Sequence, residues 1–302
     1  MAPPILRYLR NGPFMLLTAS AFLGAMAVAA KIACAHLPVG EVIFLRFLGG
    51  WIIFWPLVRG RLLDIRPVNR KLLYLRGLTS SVAIIFYFYG ISQVPVGHAV
   101  LLNNTYPLFV ALLSIPVLKE RVGLDLYGCF FVALAGVAIM LSPATRESGG
   151  PILGYASTLV SALFAAVSIL ATRVLRRTDG ALAIFYYFSA VGTVMTLPFI
   201  LIHPVLPTGV SLVAVIAMIL LSTVGQLLIN QAFKYARAGE GSIVLMATTA
   251  VAATLGAVLL GDRYTREFFI GALLIFAAIS WVTAKARLQG TLAAGAERTR
   301  PS

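Results

Sequence analysis

Seven side chains interrupt long apolar stretches of this sequence and have the chemistry to bind a small solute. Arg46 and Lys31 place cations inside apolar runs, where a charge costs about 2.5–3.5 kcal/mol at the centre of a bilayer. A pair of cations there favours an anionic or zwitterionic partner. Amide and phenol groups make up the rest of the candidate substrate-binding set: Asn103, Asn104, Gln226, Asn230 and Tyr87.

Each cation also has a purely structural interpretation. Lys31 lies about four residues from the end of its apolar run, so its ammonium can extend to the membrane surface. Arg46 lies deeper, which favours contact with an aqueous cavity. Alternatively, Arg46 binds backbone carbonyls or Glu41 and only holds two helices together.

The amides follow two patterns. Pro107 cannot donate to the carbonyl of Asn103, and a freed carbonyl beside two amides needs partners in a bilayer. Asn103 and Asn104 point about 100° apart on a helix, so one at most faces a ligand squarely. Hydrogen bonding between helices is the alternative. Ser222, Gln226, Asn230 and Lys234 recur every four residues, which predicts a polar stripe along one side of a helix.

Catalytic and metal-binding patterns are not evident in the sequence. The acidic residues and histidines fall in connections, tails or helix ends, and no His-Glu-x-x-His motif occurs. Hydrolysis or acyl transfer would need a nucleophile with a base, or metal ligands at fixed spacing. We therefore predict no catalytic residue, metal or cofactor, and no proton relay of carboxylates at mid-membrane.

The composition places these side chains in a membrane protein. Of 302 residues, 60% are hydrophobic and 11% charged, against about 45–50% and 25% in soluble domains. The net charge of +14 is spread over short connections rather than one soluble face, which argues against nucleic-acid binding.

Ten apolar runs can cross the hydrocarbon core of about 30 Å as helices. These predicted spans, numbered 1 to 10, cover residues 13–35, 39–58, 72–93, 96–118, 123–142, 151–174, 181–202, 209–234, 241–261 and 267–286. Successive connections lie on alternate sides of the membrane. Those on one side hold 19 of the 24 Lys and Arg residues and those on the other side hold 3, while the remaining two, Lys31 and Arg46, lie inside spans. This bias predicts that residues 1–12 and 287–302 are cytoplasmic termini of an all-α plasma-membrane protein.

The two halves of the chain resemble each other. In residues 13–142, the segment 90–97 precedes a span that ends in Leu118-Lys119-Glu120-Arg121. In residues 151–286, the segment 234–241 precedes a span that ends in Leu260-Gly261-Asp262-Arg263. Because each half has five spans, the halves form inverted-topology repeats, an architecture typical of secondary transporters.

Three segments resemble the drug/metabolite transporter superfamily, and specifically its EamA-type members with two repeats of five helices. They are Phe44-Leu45-Arg46-Phe47, Asn104-Thr105-Tyr106-Pro107 and Gly261-Asp262-Arg263. The sequence departs from the usual pattern at Asp262, where glutamate is common, and at Val251, which corresponds to Pro107. The resemblance implies a carrier of small organic metabolites with a central cavity.

We therefore expect a transporter that works by alternating access in a bacterial inner membrane. Its expected partners are a small-molecule substrate and membrane lipid, and the sequence leaves monomer and homodimer open. A lipid flippase or a membrane scaffold is the alternative function.

Overall fold

The computed structural model describes residues 12–60, 65, 67–118, 124–140, 151–202, 204–235 and 244–298, and these contain helices but no strand. The helices are α1 (Gly12–Cys34), α2 (Val39–Arg59), α3 (Arg70–Gln93), α4 (Val96–Asn103), α5 (Tyr106–Leu118), α6 (Leu124–Met140), α7 (Ile152–Leu175), α8 (Ala181–Ile202), α9 (Gly209–Ala232), α10 (Ala247–Leu260) and α11 (Arg266–Arg298). Six of them, α1, α2, α3, α7, α8 and α9, contain stretches long and apolar enough to cross a membrane. The predicted all-α integral membrane fold is confirmed.

Local sequence signals set the ends of these helices. Pro38, Pro95 and Pro151 stand immediately before α2, α4 and α7, where a missing N–H leaves no helical hydrogen bond unmade. The side chain of Asn69 accepts a hydrogen bond from an N–H of the first turn of α3, as a helix cap does. The helix α10 ends at Gly261, whose φ of 69° favours glycine.

The structure differs from the sequence prediction at span 4, for which the apolar run predicts one helix over 96–118. A turn at Asn104 and Thr105 divides it into α4 and α5. The hydroxyl and the backbone N–H of Thr105 both donate to the carbonyl of Leu102, at 2.7 and 3.1 Å, so Thr105 satisfies a carbonyl in the last turn of α4. Pro107 is the second residue of α5, a position where helices tolerate proline.

The helices pair as two inverted repeats require. In such repeats each of spans 1 to 5 corresponds to the span five places later. The extensive contact between α1 and α9, which are spans 1 and 8, therefore has a counterpart between α7 and α3, which are spans 6 and 3. That second contact is equally extensive. The helix α2 packs on its own counterpart α8, and α6 packs on α11. A two-fold axis between the halves produces this pattern, and five spans per half place the halves in opposite orientations.

Small residues let the repeats approach closely. A Cβ atom added to Gly24 of α1 would lie 2.8 Å from the Cβ of Val251 in α10. The backbones therefore touch at a distance that a larger residue would prevent, as is common between membrane helices.

The last helix is longer than predicted. The apolar run predicts that span 10 ends near residue 286 and that a tail follows at 287–302, whereas α11 continues to Arg298. Residues 287–298 include three Ala, two Leu and two Arg, which have high helix propensity, so the helix extends past the apolar run.

Candidate functional site

A cavity of about 170 Å³, with polar side chains set among a larger apolar lining, lies between the two repeats. Its walls come from α1 to α5 of the first repeat and from α7 to α10 of the second, together with residues beside the ends of these helices: Asn104, Phe233 and Leu245. The volume is enough for several water molecules. Six of the seven predicted site residues line it: Arg46, Tyr87, Asn103, Asn104, Gln226 and Asn230.

Arg46 extends from α2 into this cavity and is only 4% exposed. Its Nε has no hydrogen-bond partner, and its Cζ lies 5.4–5.8 Å from the centroids of three phenylalanine rings. In the described part of the chain no carboxylate forms an ion pair with it. Glu41 instead accepts a hydrogen bond from the N–H of Val205 at 3.2 Å. The alternative in which Glu41 binds Arg46 is therefore not what the structure contains.

Arg76 is a second cavity arginine that sequence reasoning missed. The count of basic residues assigns it to a cytoplasmic connection, and this is wrong, because it lies in the second turn of α3 and is 4% exposed. Its Nε donates to the hydroxyl of Thr172 at 3.0 Å, while its NH1 atom is buried without a partner. Its Cζ lies 4.5 Å from the ring centroid of Phe188, the ring that also faces Arg46 at 5.8 Å.

Hydroxyl groups extend the polar wall beside Arg76. Ser80 of α3 and Ser168 of α7 share a short hydrogen bond, and both line the cavity with Thr172. The hydroxyl of Thr172 also donates to the carbonyl of Ser168 at 2.8 Å. This wall joins α3 to α7, so it connects the two repeats.

Two of the cavity asparagines, Asn103 and Asn104, also hydrogen-bond across the repeats. Asn103 accepts from the hydroxyl of Ser161 in α7 at 3.0 Å. Asn104 donates to the hydroxyl of Thr249 in α10 at 2.9 Å. The two roles considered for these residues, lining a cavity and joining helices, therefore occur together at the turn between α4 and α5.

The predicted stripe on α9 faces the cavity in part. Gln226 and Asn230 line it, whereas Ser222 donates to the carbonyl of Ile219 within its own helix at 3.0 Å. Asn230 is fully buried, and its Oδ1 has no hydrogen-bond partner. Tyr87 is 8% exposed and closes the wall near Arg46.

Lys31 lies outside the cavity and has partners in the protein. Its Nζ donates to the carbonyl of Val94 at 2.8 Å and forms an ion pair with Asp262 at 3.3 Å. The other carboxylate oxygen of Asp262 accepts the N–H of Val96, the first residue of α4, at 2.8 Å. We call Lys31, Asp262, Tyr264 and the first two amides of α4 the Asp262 cluster.

Tyr264 completes the Asp262 cluster. Its hydroxyl accepts the N–H of Gly97 at 3.1 Å and lies 3.4 Å from Asp262 as a donor. Burial raises the pKa of Tyr264, which keeps the phenol protonated and able to donate. Its ring stacks on that of His98 at a centroid distance of 5.7 Å. The cluster joins α1 and α4 of the first repeat to the α10–α11 connection of the second.

The sequence model of the EamA-like transporter family matches residues 10–142 and 152–284. The chain belongs to the EamA-like transporter family. This EamA-like protein is therefore a multi-pass membrane transporter and not an enzyme.

Two curated relatives indicate the range of solutes among similar proteins. The chain is 28% identical over 234 residues to the pseudopaline exporter CntI of Pseudomonas aeruginosa (strain UCBPP-PA14). This match covers 76% of this chain and 81% of that protein. It is 27% identical over 179 residues to an S-adenosylmethionine uptake transporter of Rickettsia prowazekii (strain Madrid E), covering 57% of this chain and 58% of that protein. A solved crystal structure superposes on this EamA-like transporter with a TM-score of 0.66 at 19% identity, over 92% of this chain and 98% of the other.

Proposed function

We propose that this EamA-like transporter moves a small organic acid across the bacterial inner membrane by alternating access. Arg46 binds an acidic group of the substrate, while Tyr87, Asn103, Asn104, Gln226 and Asn230 contact the remainder of it. Lys31 is not needed for this proposal, because Asp262 already neutralises its charge.

One observation carries the proposal. The cavity between the repeats contains a buried guanidinium, that of Arg46, with an unpartnered Nε and no carboxylate paired with it among the residues that the structure describes. A buried charge without a partner is costly, so a ligand that supplies the missing anion gains that free energy on binding. Membrane proteins retain such residues where a solute passes.

The proposed movement follows from the positions of the cavity and the Asp262 cluster. Arg76, Thr172 and Asn230 lie near the ends of α3, α7 and α9 at one face of the membrane, whereas the Asp262 cluster lies at the ends of α1, α4 and α10 at the other. The cavity is thus offset toward one face and sealed at the other. Rocking of the repeats would break the Asp262 cluster and open that face.

The transport test compares three variants with the unmodified protein. Arg46→Ala should abolish the change in cellular metabolites that overproduction of the unmodified protein causes, and Arg46→Lys should restore part of it, because lysine lacks the bidentate fork. Arg59→Ala is the matched control, since Arg59 lies at the exposed end of the same helix against Trp55. Retained transport in a membrane-inserted Arg46→Ala protein would refute the role of Arg46.

The proposed orientation has its own test. Because Arg76 lies within α3, the connections predicted to be cytoplasmic contain one Lys or Arg fewer than the sequence count gave. The excess of basic residues in those connections remains, and it still favours cytoplasmic termini. In a chain with Cys34 and Cys129 replaced by alanine, a membrane-impermeant thiol reagent added to intact cells should label Val205→Cys and spare Lys71→Cys. The reverse pattern would invert the proposed orientation.

A further inference from the structure

The cavity contains two arginines where the proposed transport of an organic acid requires one. Arg46 comes from α2 and Arg76 from α3, and each is 4% exposed. Both lie over the ring of Phe188, at 5.8 and 4.5 Å from its centroid to Cζ. Their Cζ atoms are therefore no more than about 10 Å apart, which is the sum of these two distances.

Among the residues that the structure describes, no carboxylate pairs with either arginine. The ion pair found within the described ranges joins Lys31 to Asp262, outside the cavity. The aromatic face of Phe188 attracts both guanidinium groups, but a ring quadrupole offsets only part of the repulsion between two buried cations. The neutral donors and acceptors around Arg76, chiefly the hydroxyl of Thr172, leave its NH1 atom unpartnered.

We infer that the substrate carries two acidic groups, one for Arg46 and one for Arg76, with the chain between them lying along Phe188. This inference rests on the proposed function, since it specifies the substrate class of the same cavity. A guanidinium binds a carboxylate through two parallel N–H donors. Two guanidinium groups on either side of a ring therefore select a ligand by the distance between its two acidic groups. The hydroxyls of Ser80 and Ser168 lie beside the second acid.

A structural role for Arg76 predicts a different outcome. The bond from its Nε to Thr172 joins α3 to α7, so removing the guanidinium would destabilise the protein whatever the ligand. Overall stability therefore cannot distinguish the two roles. The preference for a diacid over the matching monoacid can, because a role confined to packing changes binding of both equally.

The test measures binding of a dicarboxylate series, from succinate to suberate, to the full-length protein in detergent. Each diacid is compared with its own monoamide, which has the same length and one charge fewer. The best diacid should bind the unmodified protein at least tenfold more tightly than its monoamide, as expected when a second charged group is bound. Arg76→Gln should reduce this ratio to near one and leave monoamide binding within a factor of two or three, and Arg76→Lys should restore part of the ratio. Arg70→Gln, an exposed arginine at the start of α3, should change neither.

The outcomes separate this inference from the proposed function. Equal affinity for diacids and monoamides in the unmodified protein, or an unchanged ratio in Arg76→Gln, overturns the two-acid substrate. Monoamide binding that still requires Arg46 would then leave the proposed organic-acid transport standing. Failure of every member of the series to bind overturns both.

Discussion

Removing the negative charge of Asp262 is expected to open the face of the transporter that the Asp262 cluster seals. The carboxylate accepts the N–H of Val96 at 2.8 Å and the ammonium of Lys31 at 3.3 Å. A hydrogen bond to a charged group contributes about 1.5–3 kcal/mol, and a partly exposed ion pair about 0–1 kcal/mol. Asp262→Asn keeps the shape and loses the charge, so the sealed state should weaken by about 1.5–4 kcal/mol. The ratio of sealed to open molecules should fall about 12-fold to 700-fold.

Distances between spin labels measure this change. Labels on cysteines placed at the exposed positions His36 and Arg263 flank the Asp262 cluster, with both native cysteines replaced. Asp262→Asn should add a population at longer distance. Glu267→Gln, in the first turn of α11, should leave the distribution unchanged, since Glu267 bonds to Thr265 nearby. An unaltered distribution in Asp262→Asn would refute the sealing role of the cluster.

Two further predictions concern the contacts between the repeats. Gly24→Ala should lower stability by about 1–3 kcal/mol because its methyl group would overlap Val251, whereas Gly128→Ala, in open space on α6, should be neutral or stabilising; equal melting temperatures in detergent would contradict this. Asn104→Ala should cost about 1–3 kcal/mol by leaving the hydroxyl of Thr249 without its donor. The double variant with Thr249→Val should cost little more than the larger single change, and strictly additive losses in thermal unfolding would count against the bond.

Hydrophobicity alone predicts most of the fold. Runs of about 20 apolar residues must be helical in lipid, because every backbone group has to find its partner within the segment. The break at Asn104 does not follow from hydrophobicity, because the apolar run continues through it; the local signal is Pro107, which cannot donate to the carbonyl of Asn103. A helix can start next to a proline without loss, and the hydroxyl of Thr105 donates to the carbonyl of Leu102 in the last turn of α4, where the preceding helix ends.

The site is less completely predictable, for two physical reasons. Arg76 lies near the end of its helix, where a basic residue ordinarily reaches the membrane surface, and only tertiary contacts reveal that it points inward. The partner of Lys31 is Asp262, 231 residues away, and no local pattern reports a pairing at that separation. Arg46 is identifiable from the sequence because a cation that deep in an apolar run is costly unless it faces an aqueous cavity.

The bond between Asp262 and the amino end of α4 has a kinetic consequence. A carrier that produces net flux must return unloaded, and each return requires this carboxylate to leave the amide of Val96 with no solute bound to offset the loss. A carrier that exchanges solutes returns with a solute bound, and the binding free energy of that solute in the cavity offsets the loss of the Asp262 bond. Counterflow between two solute pools should therefore outpace one-way movement, and weakening the Asp262 contact should narrow that difference.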